Sequence, residues 1–188
     1  TENSITDIEV SAIIPNTYQP RRVFDDEKLH ELAASIKEHG VVQPVVVRQL
    51  NNGKYELVVG ERRWRACRLL QLQKIPAVIK EYSEEQMMEI ALVENIQRQD
   101  LNPLEEAQAY QKLLTDFNYT QEQVAQKVSK SRSFVANMVR LLNLAQPVLE
   151  RLSAGDLTIG HARPLLAVEE PQEQIKAAEA IIANKMTV

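Results

Sequence analysis

Three arginines stand within four residues in the stretch Gly60–Ala66, which reads Gly-Glu-Arg-Arg-Trp-Arg-Ala. An apolar, β-branched run precedes Gly60 and a helical pattern follows it. Backbone amides at a helix N-terminus, together with guanidinium groups, form a strong anion site. Neighbouring guanidinium groups also repel one another unless an anion lies between them. The stretch therefore predicts a phosphate site, with solvated surface arginines as the alternative; no Lys-Ser or Lys-Thr follows, so it is not a Walker loop.

A second polar cluster closes a later predicted helix at residues 94–98, where the sequence reads Glu-Asn-Ile-Gln-Arg. Magnesium prefers oxygen ligands and usually takes few of them from protein, the rest coming from phosphate and water. Glu94 and Asn95 could supply one or two. The alternative is a solvated helix end.

Basic and amide side chains mark a third stretch, which contains Lys130, Arg132, Ser133, Asn137 and Arg140. A DNA-recognition helix presents its first residues to base edges, where arginine pairs with guanine and asparagine with adenine. The pattern predicts a helix-turn-helix at about residues 120–143. The alternative is an ordinary helical hairpin with a solvated polar face.

A fourth cluster opens another predicted helix and contains Gly160, His161 and Arg163. Gly160 removes side-chain bulk near the helix start, and the other two residues could reach phosphate or base. The alternative is a helix cap with solvated charges. These three residues complete the set of candidate DNA contacts.

The elements that must hold these residues change in type along the chain. Strands are predicted at 8–14, 45–50, 55–59 and 75–79, and helices at 25–39 and 61–72. From Ser83 onward only helices are predicted, at 83–98, 103–117, 120–128, 131–143, 146–153, 158–167 and 171–184. The two helices of the helix-turn-helix should bury Val124, Ala125 and Val128, and then Val135, Val139 and Leu142. The fold class is therefore α+β, with a small α/β domain over residues 1–100 and an all-α domain over 101–188.

Composition places few limits on function. The chain of 188 residues has a net charge of −4, but residues 117–168 carry six basic side chains against three acidic ones. A local basic patch on an acidic protein is typical of specific rather than strong non-specific DNA binding. No apolar run is long enough for a membrane span. The single Cys67 lacks a partner for a disulfide or a metal site, which fits a cytoplasmic protein.

Three stretches together resemble the ParB family of bacterial chromosome- and plasmid-partition proteins. They are residues 40–44 (Gly-Val-Val-Gln-Pro), the Gly60–Ala66 stretch and residues 94–103, in this order ahead of a helix-turn-helix. The resemblance covers nearly the whole chain. It implies a sulfiredoxin/ParB-like N-terminal domain that binds CTP with Mg2+, a central domain that reads the palindromic parS site, and a C-terminal dimerisation domain beyond this chain.

The resemblance also implies residue roles. Ser35, Gly40, Gln43 and Pro44 would line the nucleotide site near cytosine and ribose. The triphosphate would be held by Arg21, Gly60, Glu61, Arg62, Arg63, Arg65 and Arg98. Glu94 and Asn95 would govern magnesium and catalyse hydrolysis. Two CTP-bound subunits would close into a clamp that slides along double-stranded DNA, with a ParA-type ATPase and an SMC-type condensin as partners at the nucleoid.

Two positions separate the partition type from the nucleoid-occlusion type of this family. The occlusion type typically carries Gln at position 132 and Arg at position 160, whereas this chain has Arg132 and Gly160. The chain therefore resembles a parS reader. It departs from the family pattern at Ser129, Met138 and Asn143.

Three other functions remain open from the residues. The chain could be a nucleoid-occlusion protein, or a plain transcription regulator whose arginines touch only DNA phosphate. It could also be a sulfiredoxin-like phosphotransferase, which needs a reactive cysteine near the arginine-rich loop. Cys67 lies in an apolar context, which favours a packed thiol over a reactive one.

Overall fold

The structure, a computed structural model, describes residues 4–18, 26–41, 43–97 and 101–188. Its internal contacts divide it into two compact units, Thr1–Ala91 and Leu92–Val188. A mixed sheet with helices forms the first unit, and helices alone form the described part of the second. The predicted α+β class is confirmed.

One mixed sheet organises the first unit. Its strands are β1 (Ile5–Glu9), β2 (Ile13–Ile14), β3 (Val45–Gln49), β4 (Tyr55–Val59) and β5 (Lys74–Ile79). The order across the sheet is β1-β5-β3-β4-β2. The central pair β3 and β5 is parallel, and β3 runs antiparallel to β4 through the hairpin at residues 50–54.

Two helices cover one face of this sheet. They are α1 (Asp26–His39) and α2 (Glu61–Leu69). Their buried side chains meet a row of small and β-branched strand residues, because alternate residues of a strand point to the same face. The buried cluster contains Ala33, Ile36, Val45, Val47, Leu57, Trp64, Ala66, Cys67, Ile75 and Ala77. Trp64 is thus a core residue, as its position in an apolar stripe predicts.

The predicted strand at 8–14 is wrong in one respect. A 3₁₀ turn at Val10–Ala12 divides it into β1 and β2, which pair with different strands at opposite edges of the sheet. The amide of Val10 donates to the carbonyl of Gln73, 2.9 Å away. This contact is long-range, so no local pattern announces the break.

The predicted helix at 61–72 is also too long. It ends at Leu69 because Gln71 adopts a left-handed conformation, with φ of 56°. The amide of Leu72 then donates to the carbonyl of Cys67 at 3.1 Å, which closes the helix end. A glycine usually marks such an end, and none stands here.

A charged cluster fastens α3 (Glu84–Ile96) to strand β3. The Nη2 atom of Arg48 donates to Glu84 Oε1 at 2.7 Å and to the buried Glu56 Oε2 at 3.2 Å, and Tyr18 donates its hydroxyl to Glu84. The hydrogen bonds from Tyr18 and Arg48 lower the pKa of Glu84. Among the described residues, Arg48 Nε and Glu56 Oε1 find no hydrogen-bond partner although both are buried.

The second unit packs six helices around a single core in the residues that the structure describes. They are α4 (Pro103–Asp116), α5 (Gln121–Val128), α6 (Arg132–Arg140), α7 (Gln146–Ser153), α8 (Ile159–Leu165) and α9 (Pro171–Ala183). Every helix contributes to one apolar cluster, which includes Tyr110, Leu113, Val124, Val135, Leu152, Leu165 and Ala178. None of the helices in the described ranges has the length and apolar content that a membrane crossing needs.

The predicted core face of α6 needs a correction. Val135 is buried as expected, but Val139 and Leu142 are only half-buried, and Met138 and Leu141 fill the core in their place. Met138 and Val139 follow Val135 by three and four residues, so both lie on its side of the helix, and the 3₁₀ turn at Leu141–Asn143 shifts only the residues after Arg140. Met138, a departure from the family pattern, is therefore a packing residue.

Replacing Glu84 by Gln should lower the stability of the chain in a pH-dependent way. Because the folded pKa of Glu84 lies below its unfolded value, the charge stabilises the fold fully above about pH 4.3 and stops doing so as pH falls through the folded pKa. Urea unfolding of both proteins from pH 7 to pH 3 measures the difference.

The matched control is Glu85→Gln, which removes a charge from the same first turn of α3 and has an exposed side chain. It should leave stability near that of the unsubstituted chain at every pH. Equal losses from the two variants, or a Glu84→Gln loss that does not shrink in acid, would contradict the ion pair.

Candidate functional site

The start of α2 lies directly against the centre of the sheet. Gly60 precedes the helix in a left-handed conformation, with φ of 102°. A Cβ built at this position would come within 2.7 Å of Val45 Cγ1, which is closer than real Cβ contacts allow. Only glycine can both adopt this backbone conformation and fit into the space beside Val45. The first amides of α2 follow at this corner, and Gly60 offers them no side-chain cap.

The arginines at this corner have protein partners in the structure. Arg63 Nη1 donates to the carbonyl oxygens of Gln43 at 3.1 Å and of Pro44 at 2.8 Å. Arg65 forms an ion pair with Glu61, with 3.2 Å between Nη2 and Oε1. Two of the three guanidinium groups are therefore held in place by contacts within the chain.

These contacts bring together two sequence stretches that were predicted to share a site. Gln43, Pro44, Gly60 and Arg63 meet at the corner, and a Cβ at Gly60 would lie 3.4 Å from the guanidinium carbon of Arg63. Arg62 is exposed beside them on the first turn of α2. The corner therefore offers backbone amides and guanidinium groups on one surface, which is what an anionic ligand needs.

The remaining nucleotide candidates lie on neighbouring elements or outside the described residues. Ser35 is exposed on α1, and Gly40 ends that helix with φ of 77° and an amide that donates to Ile36. Arg21 and Arg98 lie outside the described residues. The carbonyl contacts of Arg63 were not predicted, because they depend on tertiary packing and leave no local signal.

The predicted magnesium residues stand near the end of α3, within the second unit. Glu94 and Asn95 are consecutive and half-buried. No cluster of three or more His, Cys, Asp or Glu side chains in the described ranges is arranged to hold a metal ion. One carboxylate and one amide oxygen still fit magnesium, which commonly completes its six ligands with water and phosphate oxygens.

Cys67 is a packing residue. It lies on the buried face of α2 and is completely enclosed in the core, and burial raises the pKa of its thiol. A reactive cysteine needs an exposed or electropositive setting that favours the thiolate. The structure thus places Cys67 where a sulfiredoxin-like reaction would not reach it.

Helices α5 and α6 are joined by the short turn Ser129-Lys130-Ser131. Thr120 and Gln123 cap the start of α5 reciprocally. Ser129 takes a left-handed conformation with φ of 56°, and the amide of Lys130 donates to the carbonyl of Ala125. Ser131 caps α6 by accepting a hydrogen bond from the amide of Phe134 at 3.0 Å. This last cap was not predicted, although a serine just before a helix is a recognisable signal.

The predicted DNA-reading side chains lie on the exposed side of this pair. Arg132 and Ser133 occupy the first turn of α6 and are exposed, as is Arg140 at its end. Asn137 is half-buried between them. Lys130 is exposed in the turn, with its ammonium 5.4 Å from the ring centroid of Phe134. The start of α6 is therefore a rigid, positively charged edge supported from beneath by the core.

The cluster at the start of α8 is only partly open. Arg163 is exposed, but Gly160 and His161 are half-buried. A Cβ at Gly160 would come within 2.9 Å of a methyl group of Val188, and the imidazole of His161 is hydrogen-bonded on both nitrogens. Gly160 thus lies under the segment that follows α9.

Family models match both halves of the chain. The ParB N-terminal domain matches residues 1–96, and the ParB HTH domain matches residues 99–188. The chain belongs to the ParB family.

Relatives within the family carry two kinds of name. This ParB-family chain is 45% identical to a nucleoid occlusion protein of a Geobacillus species, and the match covers 100% of the chain and 66% of that protein. It is 46% identical to a probable chromosome-partitioning protein ParB of Pseudomonas putida, covering 100% of the chain and 64% of the relative. The chain therefore spans just under two thirds of the length of these relatives.

A solved structure of a ParB protein shares the fold of this chain. It is the C-terminally truncated chromosome-partitioning protein ParB of Caulobacter crescentus, complexed to the centromeric parS site. The match has a TM-score of 0.77 and 40% identity, and it covers 97% of this chain and 94% of the other. The likeness thus extends through both units of the ParB-family chain.

Replacing Gly60 by Ala should destabilise this ParB-family chain. The substitution adds a clash with Val45 to the cost of a left-handed residue with a side chain. Gly53→Ala is the matched control, since Gly53 also has a positive φ but nothing within 4 Å of a built Cβ. We expect Gly60→Ala to lose about 1–3 kcal/mol more than Gly53→Ala in urea unfolding. Equal losses would contradict the close approach of Gly60 to Val45.

Proposed function

We propose that this chain is a DNA-segregation protein that binds a parS-type palindrome through α5 and α6 and uses CTP as a switch. CTP binding closes two subunits into a sliding DNA clamp, and slow hydrolysis releases it. The observation that carries the proposal is the exposed, positively charged first turn of α6 behind a capped, left-handed turn. Family membership and the fold shared with the parS-bound Caulobacter protein support it.

The side chains of α6 suit direct reading of bases in the major groove. Arginine can donate two hydrogen bonds to guanine, and asparagine pairs with adenine. Arg132 and Asn137 are the candidates for these contacts, because they stand at the start and middle of the second helix of the motif. Lys130, Ser133 and Arg140 lie where they could hold the phosphate backbone and fix the register.

The overall charge of the chain fits such a reader. A protein with a net charge of −4 gains little from sequence-independent attraction to phosphate, so its affinity depends on placed contacts. Residues 117–168 nevertheless carry six basic side chains against three acidic ones. Sequence preference should therefore be large relative to total affinity.

The corner at Gly60 suits the triphosphate of CTP. The ligand would receive the first amides of α2 and the guanidinium groups of Arg62, Arg63 and Arg65. Two of these arginines would exchange their present partners for phosphate oxygens. Since Arg63 now holds the carbonyls of Gln43 and Pro44, that exchange would free the connection between α1 and β3, which is where the resemblance puts cytosine and ribose.

Magnesium and hydrolysis belong to the same proposal. Glu94 would hold the cation through its carboxylate, and Asn95 through its side-chain oxygen. When bound, the cation would offset the negative charge of the phosphates. Arg21, Arg98, Ser35 and Gly40 complete the proposed site.

The partners follow from the same family and are proposals as well. A clamp requires a second copy of the chain. The segregation function would add a ParA-type ATPase and an SMC-type condensin, with the protein located on the nucleoid in the cytoplasm.

A nucleoid-occlusion function is the second candidate, because the identity to proteins of that name is as high as the identity to partition proteins. The residues at positions 132 and 160 favour the partition function, since the occlusion type carries Gln and Arg there. Binding of the chain to a parS duplex and to an occlusion-site duplex in competition separates the two.

Arg132→Ala should reduce the preference for a parS duplex over a scrambled duplex of equal length. The loss of a bidentate base contact is worth about 1–3 kcal/mol, so the preference should fall by about 10- to 100-fold. Fluorescence anisotropy with both duplexes measures it. Lys112→Ala is the control, because it removes one positive charge from an exposed site on α4. A preference that is unchanged by Arg132→Ala would mean that Arg132 does not read the sequence.

Arg62→Ala should weaken CTP binding by about tenfold or more, the usual effect of losing a hydrogen bond to a charged group. Isothermal titration with CTP and Mg2+ measures it, and parS affinity without nucleotide should not change. Arg68→Ala is the control on the same helix, since Arg68 lies in the last turn of α2 and stacks on Trp64. If the unsubstituted chain gives no binding heat with CTP, the nucleotide switch is refuted and only a plain transcription regulator remains.

A further inference from the structure

His161 occupies a position in a helix cap that is taken by glutamine elsewhere in the chain. At Ser83/Gln86 and Thr120/Gln123, the hydroxyl accepts the amide three residues on and the glutamine side chain accepts the amide of the capping residue. At Thr158, the hydroxyl accepts the amide of His161 at 3.2 Å. The return bond ends on the imidazole, from the Thr158 amide to Nδ1 at 3.3 Å.

These contacts bear on the protonation of the ring. The carbonyl oxygen of Met186 can only accept, so Nε2, 2.9 Å away, carries a proton. Nδ1 lies 3.3 Å from the Thr158 amide, which can only donate, and 3.0 Å from the Thr158 hydroxyl, which can donate or accept. Both nitrogens of His161 are engaged within the chain.

The Met186 carbonyl is itself placed by the end of α9. Lys185 adopts a left-handed conformation with φ of 48°, and the amide of Met186 donates to Ile181 at 3.1 Å. This is the hydrogen-bond pattern that ends helices in a fixed geometry. His161 thus joins two defined points, the first turn of α8 and the last turn of α9. A glutamine in the same cap would have to reach Met186 with a flexible amide instead of a ring held in one plane.

We infer that His161 is a positioning residue and not a DNA contact. Its Nε2-protonated ring holds the first turn of α8 to the end of α9 and so fixes where Gly160 and Arg163 stand. The inference rests on the proposed function in one respect only, which is the effect of His161 on DNA reading. The ring nitrogens offer no remaining hydrogen-bonding atom to a base or a phosphate, whereas the guanidinium of Arg163 remains exposed.

Two variants separate positioning from contact in the 188-residue chain. His161→Gln keeps the return bond of the cap but replaces the ring that reaches Met186 by a flexible amide, and His161→Ala loses both; in either variant the Thr158 hydroxyl still accepts the amide of residue 161. With a parS duplex, we expect His161→Gln to bind about threefold more weakly than the unsubstituted chain, because its connection to α9 is weakened. His161→Ala should bind about fivefold to tenfold more weakly, since binding must then also re-form the helix start without the return bond. A loss of DNA binding in His161→Gln with no loss of thermal stability in the free chain would mean that the ring itself touches DNA, and no loss in either variant would remove the role; both results overturn the inference.

Two readouts without DNA keep this test distinct from the proposed function. Long-range proton–nitrogen NMR should find a proton on Nε2 of His161, with His30 and His39 of α1 as internal references. In thermal unfolding, His161→Ala should lower the Tm of the second unit by about 4 °C, and His161→Gln by less. A ring without a proton on Nε2, or variants that both melt at the temperature of the unsubstituted chain, overturns the inference. If the chain does not distinguish parS from a scrambled duplex, the proposed function is refuted. The NMR and thermal-unfolding measurements then still decide whether His161 positions the start of α8.

Discussion

The close approach of Gly60 to Val45 is the constraint on which the first unit depends. Val45 is completely buried at the start of a central strand, and the space above it admits no β-carbon. Helix α2 can therefore begin in contact with the sheet. The same contact brings Arg63 within hydrogen-bond distance of Pro44, the residue just before Val45. The absence of a β-carbon at Gly60 thus allows contact between residues 44–45 and residues 60–63, two stretches that no local sequence pattern connects.

The parts of the fold that could be predicted are those encoded by neighbouring residues. The capping pairs Ser83/Gln86 and Thr120/Gln123 have a fixed spacing, and both helices begin where that spacing indicates. The hairpin between β3 and β4 also follows from its turn residues. The order of the strands does not, because β1 and β2 are separated by one short turn and lie at opposite edges of the sheet. Pairing across a sheet depends on long-range contacts.

The candidate sites show the same division. The positive charge at Arg62, Arg63 and Arg65 and the helix start behind it are visible in the sequence. The partners of Arg63 are not, because the carbonyl oxygens of Gln43 and Pro44 come near it only through tertiary packing. The Glu61–Arg65 pair, by contrast, has the i, i+4 spacing that a sequence shows. Met138 illustrates the opposite error. Its place in the core was assigned to Val139, because both residues lie on the same helix face as Val135 and the sequence pattern does not decide between them.

Helices α2, α5 and α9 end in the same way, with a hydrogen bond that spans six residues and a left-handed residue inside it. Gln71, Ser129 and Lys185 occupy that left-handed position, where a β-carbon costs roughly 1 kcal/mol that glycine avoids. These three helix ends thus carry steric strain, and one of them is the turn between α5 and α6. The same topology with glycine at these positions would carry less backbone strain than this sequence does.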